Sequence, residues 1–141
     1  MKFSEIESSQ WEELKPYLDT CLLPVTGLTG LEQPDEVTAA LEQLRDVMDA
    51  IEIPFKGRVV TYPACHYIAE KSGSEFVDTL CQSLKQAGFR YVIVVSAKFG
   101  QSQLNPASAD LFIGPDSTGI IADDVMIGQA VRTMWTANIN S

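Results

Sequence analysis

The 141-residue chain has one histidine, three cysteines and only ten lysines and arginines. Each scarcity excludes something. Catalytic zinc takes three protein ligands, with histidine dominant, and His66 with the scattered Cys21, Cys65 and Cys81 cannot supply such a set in a familiar spacing. No CxxC pair is present, and an odd number of widely spaced cysteines fits reduced thiols better than a disulfide framework. Nucleic-acid binding needs clustered Lys and Arg to displace counterions from phosphate, and no such cluster exists. An anionic membrane surface is disfavoured for the same reason. No window approaches the ~20 apolar residues that cross a bilayer. Met1 to Glu5 leads into an acidic segment with no apolar run behind it, so no signal peptide is expected. The cytoplasm is the expected location, with no cofactor, no metal, no nucleic acid and no membrane as partner.

What is present is ordinary for a globular chain: 45% hydrophobic and 21% charged residues. The length fits one α/β domain over residues 1–141. The net charge of −9 is unevenly placed. Residues 1–52 hold twelve acids (Glu5, Glu7, Glu12, Glu13, Asp19, Glu32, Asp35, Glu36, Glu42, Asp46, Asp49, Glu52) against Lys2, Lys15 and Arg45, whereas residues 53–141 hold seven of each sign. This acidity reads as a solvated helix face, with a docking surface for a basic partner as the sharper alternative.

Hydrophobic periodicity predicts eight elements. Ser9 and Glu12 have capping-box spacing at the start of a short helix bearing Trp11, Leu14 and Leu18, with Pro16 inside it. Cys21 to Thr26 reads as a strand, and Pro24 suggests an edge position or the strand's end. From Pro34 to about Glu52, Val37, Leu41, Leu44, Met48 and Ile51 mark one helical face. Arg58 to Tyr62 is a second strand. Ser72 and Glu75 open a helix whose predicted stripe is Phe76, Leu80, Leu84 and Ala87, stopped at Gly88. Arg90 to Ser96 has the unalternating apolar run of a central parallel strand, Asp110 to Gly114 is a shorter strand, and Asp123 to about Asn138 is the last helix. Strands alternating with helices predict a three-layer α/β/α sandwich with a small, mostly parallel sheet of about four strands.

In such a sheet, ligands bind beyond the carboxyl ends of the strands. The loops there nominate Thr26, Thr29, Cys65, His66, Ser96, Lys98 and Asp116 as candidate ligand-binding groups. None is assigned a catalytic role. The glycines at 27 and 30 match neither a P-loop nor a GxGxxG fingerprint, so a plain strand-to-helix loop is expected. Cys65 and His66 invite a nucleophile reading. Neighbours on an extended segment point to opposite faces, however, and no third orienting group is identifiable. A hard-cation site of carboxylates stays open, although Asp123 and Asp124 fit a helix dipole better.

Two blocks carry a family likeness. Tyr17-Leu18-Asp19-Thr20-Cys21-Leu22-Leu23-Pro24, and Phe55 to Val60 followed by Tyr62-Pro63 and Tyr67, resemble the YpiF-type family of uncharacterised bacterial proteins. Ile127 to Trp135 is compatible with that family's closing helix, and Ser96 to Asn105 departs from its more polar, acidic pattern. The resemblance implies a small cytosolic bacterial protein and assigns no activity. Leu22 to Val25 with Leu31 to Pro34 is faintly similar to the first motif of creatininase-like amidohydrolases, without the metal-binding histidine and acid that should follow.

The absent catalytic constellation and the acidic N-terminal part point to a non-enzymatic domain that binds a protein partner or small ligand, or forms a homo-oligomer. The alternatives are a small enzyme or small-molecule-binding domain using the strand-end loops, and a structural subunit of a larger assembly. The last predicts an exposed apolar patch that could include Trp11, Phe99 and Trp135.

Overall fold

Runs of β-branched and aliphatic residues form the four strands, all buried on both sides except the last. The computed structural model describes residues 1–66 and 70–137, the side chains of 70–72 excepted. Strands β1 (Thr20–Val25), β2 (Val59–Thr61), β3 (Tyr91–Ser96) and β4 (Leu111–Ile113) lie in the order β2-β1-β3-β4. Every pairing is parallel, with Thr20 opposite both Val59 and Tyr91, and Ile93 opposite Leu111. The sheet is therefore wholly parallel rather than mostly so.

Four helices cover it: α1 (Ser8–Leu14), α2 (Pro34–Glu52), α3 (Glu70–Gln86) and α4 (Asp124–Ala137). The alternation of side chains along each strand divides the core in two. On one face Cys21, Leu23, Val25, Val60, Val92 and Val94 meet Val77, Cys81 and Leu84 of α3, with Trp11 and Leu14 of α1 packed beside them. On the other, Leu22, Val59, Tyr91, Ile93, Val95 and Ile113 meet Leu44, Val47 and Ile51 of α2 and Ile127, Val131 and Trp135 of α4. This is the three-layer α/β/α arrangement. The chain travels from β1 to β2 across the α2 face. It returns to β3, and on to β4, across the opposite face through α3 and the 97–110 connection, where Phe99 and Leu104 are buried. Opposite directions of travel use opposite faces, as crossovers of one hand require.

Of the two positions expected for Pro24, the structure shows the strand's end and not an edge: it is the penultimate residue of β1, a central strand. It is tolerated because the missing N–H faces the β2 side, where β2 has already ended at Thr61; its carbonyl on that side accepts from the Cys65 N–H at 2.8 Å. Helix α1 starts two residues early, capped at Glu7 instead of Ser9, with the Gln10 side chain accepting from the Glu7 N–H at 3.4 Å, and it ends before Pro16. Helix α3 has begun by Glu70, ahead of Ser72; it buries the predicted Leu84 together with Val77 and Cys81, packs Leu80 at the edge of the core, and leaves Phe76 and Ala87 exposed. Apolar residues occupy both registers, and Val77 and Cys81 fit against the sheet. The helix ends as predicted at Gly88, in a Schellman turn where the Phe89 N–H reaches the Leu84 carbonyl and the Gly88 N–H that of Lys85, at φ +124°.

Candidate functional site

The strand order places a topological switch between β1 and β3. The segment after β1 leaves toward α2, and the segment after β3 leaves toward the opposite face, so the two carboxyl ends flank a crevice of the kind that holds ligands in doubly wound sheets. Six of the seven sequence-nominated residues are here. Cys65 extends the sheet by one bridge opposite Val25, which carries His66 to the end of β1.

Thr26 is the hub of the first group. It is buried, and its hydroxyl donates to the Cys65 carbonyl at 3.1 Å, accepts from the Leu28 N–H at 3.4 Å and lies 3.3 Å from His66 Nδ1. The Cys65 carbonyl also accepts from the Thr26 N–H at 2.9 Å, and the direction of the Thr26–His66 hydrogen bond follows the imidazole tautomer. The Cys65 thiol packs against the α3-side core, and burial pushes its pKa up, away from the thiolate form.

The second group closes the other side of the crevice. Ser96 Oγ, fully buried, accepts from the N–H groups of Lys98 and Phe99 at 3.2 and 3.0 Å. That turn aims Lys98 Nζ at the Gly27 carbonyl, 2.9 Å away, with Glu32 at 3.9 Å. Gly27 adopts φ +71°, and a β-carbon there would stand 3.0 Å from the Phe99 ring, so the approach of the two loops needs glycine.

Glu32 is the residue that sequence reasoning missed. Its carboxylate accepts from the Thr29 N–H at 2.8 Å, the Thr29 hydroxyl at 3.0 Å and the Gly30 N–H at 3.0 Å. Backbone hydrogen bonds, that of Thr29 first, hold its pKa down to about 2. The loop's upward N–H groups thus already hold an anion, supplied by the chain. Thr29-Gly30-Leu31-Glu32 has the S/T-x-x-E spacing that could have revealed this. Asp116, the seventh nominee, binds the backbone of its own turn at Thr118 and Ile120. No hydrogen bond joins it to the other six among the described residues, although Gly100 brings their loop within reach of Pro115.

The family described as protein of unknown function (DUF2487) matches residues 9–111. The chain belongs to this family. The DUF2487 span holds β1 to β3, both sides of the crevice and both blocks of the YpiF-type likeness, and it stops at the first residue of β4. Asp116 and α4 lie beyond it. No curated protein and no solved structure matches the chain.

Among the described residues no three His, Cys, Asp or Glu side chains are grouped to hold a metal ion, and no helix is long and apolar enough to cross a membrane. Four cavities open elsewhere on the surface, and none of these four is lined by a nominated residue. The expected apolar patch is also corrected: Phe99 and Trp135 are 4% and 9% exposed, inside the core. Exposed apolar residues among those described include Leu31, Ile53, Ile120, Val125 and Met126, the second and fourth of which line a cavity of about 410 Å³ between the end of α2 and the start of α4.

Proposed function

We propose that the protein is a non-enzymatic binding domain, a single cytoplasmic α/β unit over residues 1–141 that acts by holding a protein partner or a small ligand. The observation that carries this reading is the internal commitment of the strand-end groups. Glu32 fills the N–H groups of the loop after β1, Lys98 is bound to Gly27, Ser96 and Asp116 close their own turns, and the Cys65 thiol is held protonated. A catalytic nucleophile needs a base in hydrogen-bond reach that can accept its proton. Thr26 is buried, and its hydroxyl is bonded to the Cys65 carbonyl and the Leu28 N–H as well as facing His66. Kinship with YpiF-type bacterial proteins within the wider family fits the blocks at Tyr17 to Pro24 and Phe55 to Tyr62, both inside the matched span.

The convergence of Thr26, Cys65 and His66 favours a second reading, a small-molecule site at the strand ends. A thermal-shift panel of nucleotides, sugar phosphates, organic acids and divalent metals separates the two. A ligand at 100 times its Kd adds ~2.7 kcal/mol, visible as a clear rise in Tm. We expect no rise from anions, because Glu32 occupies their place. A rise from a phosphate compound that Glu32→Gln enhances and Lys98→Met abolishes would overturn the binding-partner reading and establish the strand-end site.

A further inference from the structure

The cavity under the N-terminal segment has a chemistry that the strand ends lack. It measures about 310 Å³ and is lined by Phe3, Trp11, Tyr62 and Phe89, with Glu7 among its other walls. The four rings run as a chain. Phe3 and Tyr62 lie 6.4 Å apart and tilted at 58°, Tyr62 and Phe89 5.3 Å apart at 90°, and Phe89 and Trp11 6.3 Å apart at 49°. Tilted and edge-to-face contacts of this kind fix each ring against the next, and all four rings contribute to the cavity wall. Phe89 is buried and fixes the floor, whereas Phe3 is 47% exposed at the rim.

The outer wall is also electrically one-sided. Residues 3–14 carry Glu5, Glu7, Glu12 and Glu13 and no base. Of the nearby bases, Lys2 pairs with Glu52 at 3.5 Å and Arg90 lies 5.5 Å from the centre of the Tyr91 ring, whose side chain belongs to the opposite face of the sheet; Lys15 follows one turn after Trp11, and among the described residues Glu7 is the one charged residue that lines the cavity. Aromatic faces attract cations through their quadrupole, most strongly for tryptophan, and an array of rings with an adjacent carboxylate selects alkylated ammonium groups, whose methyl surface they also bury. A simple alkane-binding pocket would gain nothing from the Glu7 carboxylate in its wall.

We propose that this cavity is a binding site for a small quaternary ammonium compound, held by Phe3, Trp11, Tyr62 and Phe89 with Glu7 at the rim. The site is independent of the strand-end groups, so it stands or falls separately from the reading above. The volume is at the lower end of small-ligand sites, which suits a headgroup of choline size.

The test is a titration of the full chain with choline and with 3,3-dimethylbutan-1-ol, its uncharged isostere, followed by the two tryptophan indole N–H resonances. Trp11 lines the cavity, and Trp135 is buried on the other face of the sheet, so it serves as an internal control. We expect saturable movement of the Trp11 signal alone, and binding of choline at least about tenfold tighter than of the isostere, within the range of one desolvated cation–ring contact. Trp11→Leu should weaken choline roughly two- to thirtyfold. Because Trp11 also packs on the core, the rim variants Phe3→Leu and Glu7→Gln provide the same test at exposed positions, with a several-fold loss expected from each and a reduced salt dependence from Glu7→Gln. Equal binding of choline and isostere, or a Trp11 resonance that does not move, would overturn the proposal. A trimethyllysine peptide that binds more than tenfold tighter than choline would overturn the small-molecule assignment.

Discussion

Gly114→Ala tests whether the carboxyl ends of β3 and β4 are held together by backbone contact. A β-carbon on Gly114 would stand 2.4 Å from the Phe99 carbonyl oxygen and 2.8 Å from the Phe112 ring, where ordinary contact begins at 3.4 Å. The two segments must therefore part by about 1 Å, the difference between those distances. A flexible side-chain end could swing away, but the Phe99 carbonyl cannot, because the Phe99 N–H is tied to the buried Ser96 and its ring lies in the core. Overpacking of this kind costs roughly 1–3 kcal/mol. At roughly 2–8 °C per kcal/mol for domains bracketing this size, the Tm should fall by about 2 °C at the least and by roughly 10 °C for a mid-range cost. Gly100→Ala strikes the same junction from the other side, with its β-carbon 2.5 Å from the Pro115 carbonyl oxygen. Either substitution opens the gap that the other needs, so the double variant should cost less than the sum of the two. Gly57→Ala is the control: nothing lies within 4 Å of its β-carbon, and a change within about ±0.5 kcal/mol is expected. Urea or thermal unfolding of the four variants decides the matter. Gly114→Ala as stable as Gly57→Ala, or strict additivity of the pair, would refute the reasoning.

Glu32 has a folded-state pKa of about 2 against an ordinary 4.5, so its contribution is fully present above the ordinary value and is lost as pH falls toward the folded one. Wild-type Tm should therefore drop between those two pH values, and Glu32→Gln should flatten that part of the curve; parallel curves would count against the loop geometry. Burial raises the pKa of all three thiols, that of Cys81 to about 12. Iodoacetamide at neutral pH should modify the native protein more slowly than free cysteine and all three sites after unfolding, whereas fast labelling of Cys65 would contradict its environment. Trp135→Phe removes the indole N–H that donates to Thr20 at 2.9 Å and weakens the stacking of Arg58, 4.1 Å from the ring. A loss of about 1–2 kcal/mol is expected in chemical unfolding, and a neutral result would show that this buried bond contributes nothing.

The layering of the fold was legible because each strand announces itself by unalternating apolar residues, as in Tyr91 to Val95, and because α2 and α4 each carry an apolar stripe, although α2 buries Val47 and Ala50 with the expected Leu44 and Ile51 and leaves Leu41 exposed. The register of α3 was not, since Phe76-Val77 and Leu80-Cys81 offer two adjacent stripes, and only the sheet decides between them. The strand-end loops were located correctly by the α/β pattern, and the structure brings Thr26 to His66 and Lys98 to Gly27. What the pattern could not convey is that those polar groups satisfy one another. Hydrogen bonding between Thr26 and the Cys65 carbonyl spans 39 positions, and that between Lys98 and Gly27 spans 71. The aromatic cavity was equally hidden, because Phe3, Trp11, Tyr62 and Phe89 come from four separate segments, and each alone reads as a core residue.

The uneven charge now divides into parts with different physical roles. Several of the N-terminal acids are structural. Asp19 holds Arg58 with two hydrogen bonds of 2.9 and 3.2 Å, Glu36 caps α2 through the Gln33 N–H, and Glu52 accepts from Thr61 at 2.7 Å. Glu32 supplies the anion of the β1 loop. On α2, Asp35, Glu42 and Asp46 are exposed on the side away from the buried Leu44, Val47 and Ile51, as a solvated face requires. In residues 3–14 the exposed Glu5, Glu12 and Glu13 are solvated in the same way, whereas Glu7 also lines the ring-walled concavity, and like charges within about a Debye length of one another repel unless a cation joins them. A cation in the cavity would relieve that repulsion, so the same acids that make the segment soluble also set the sign of what it can hold.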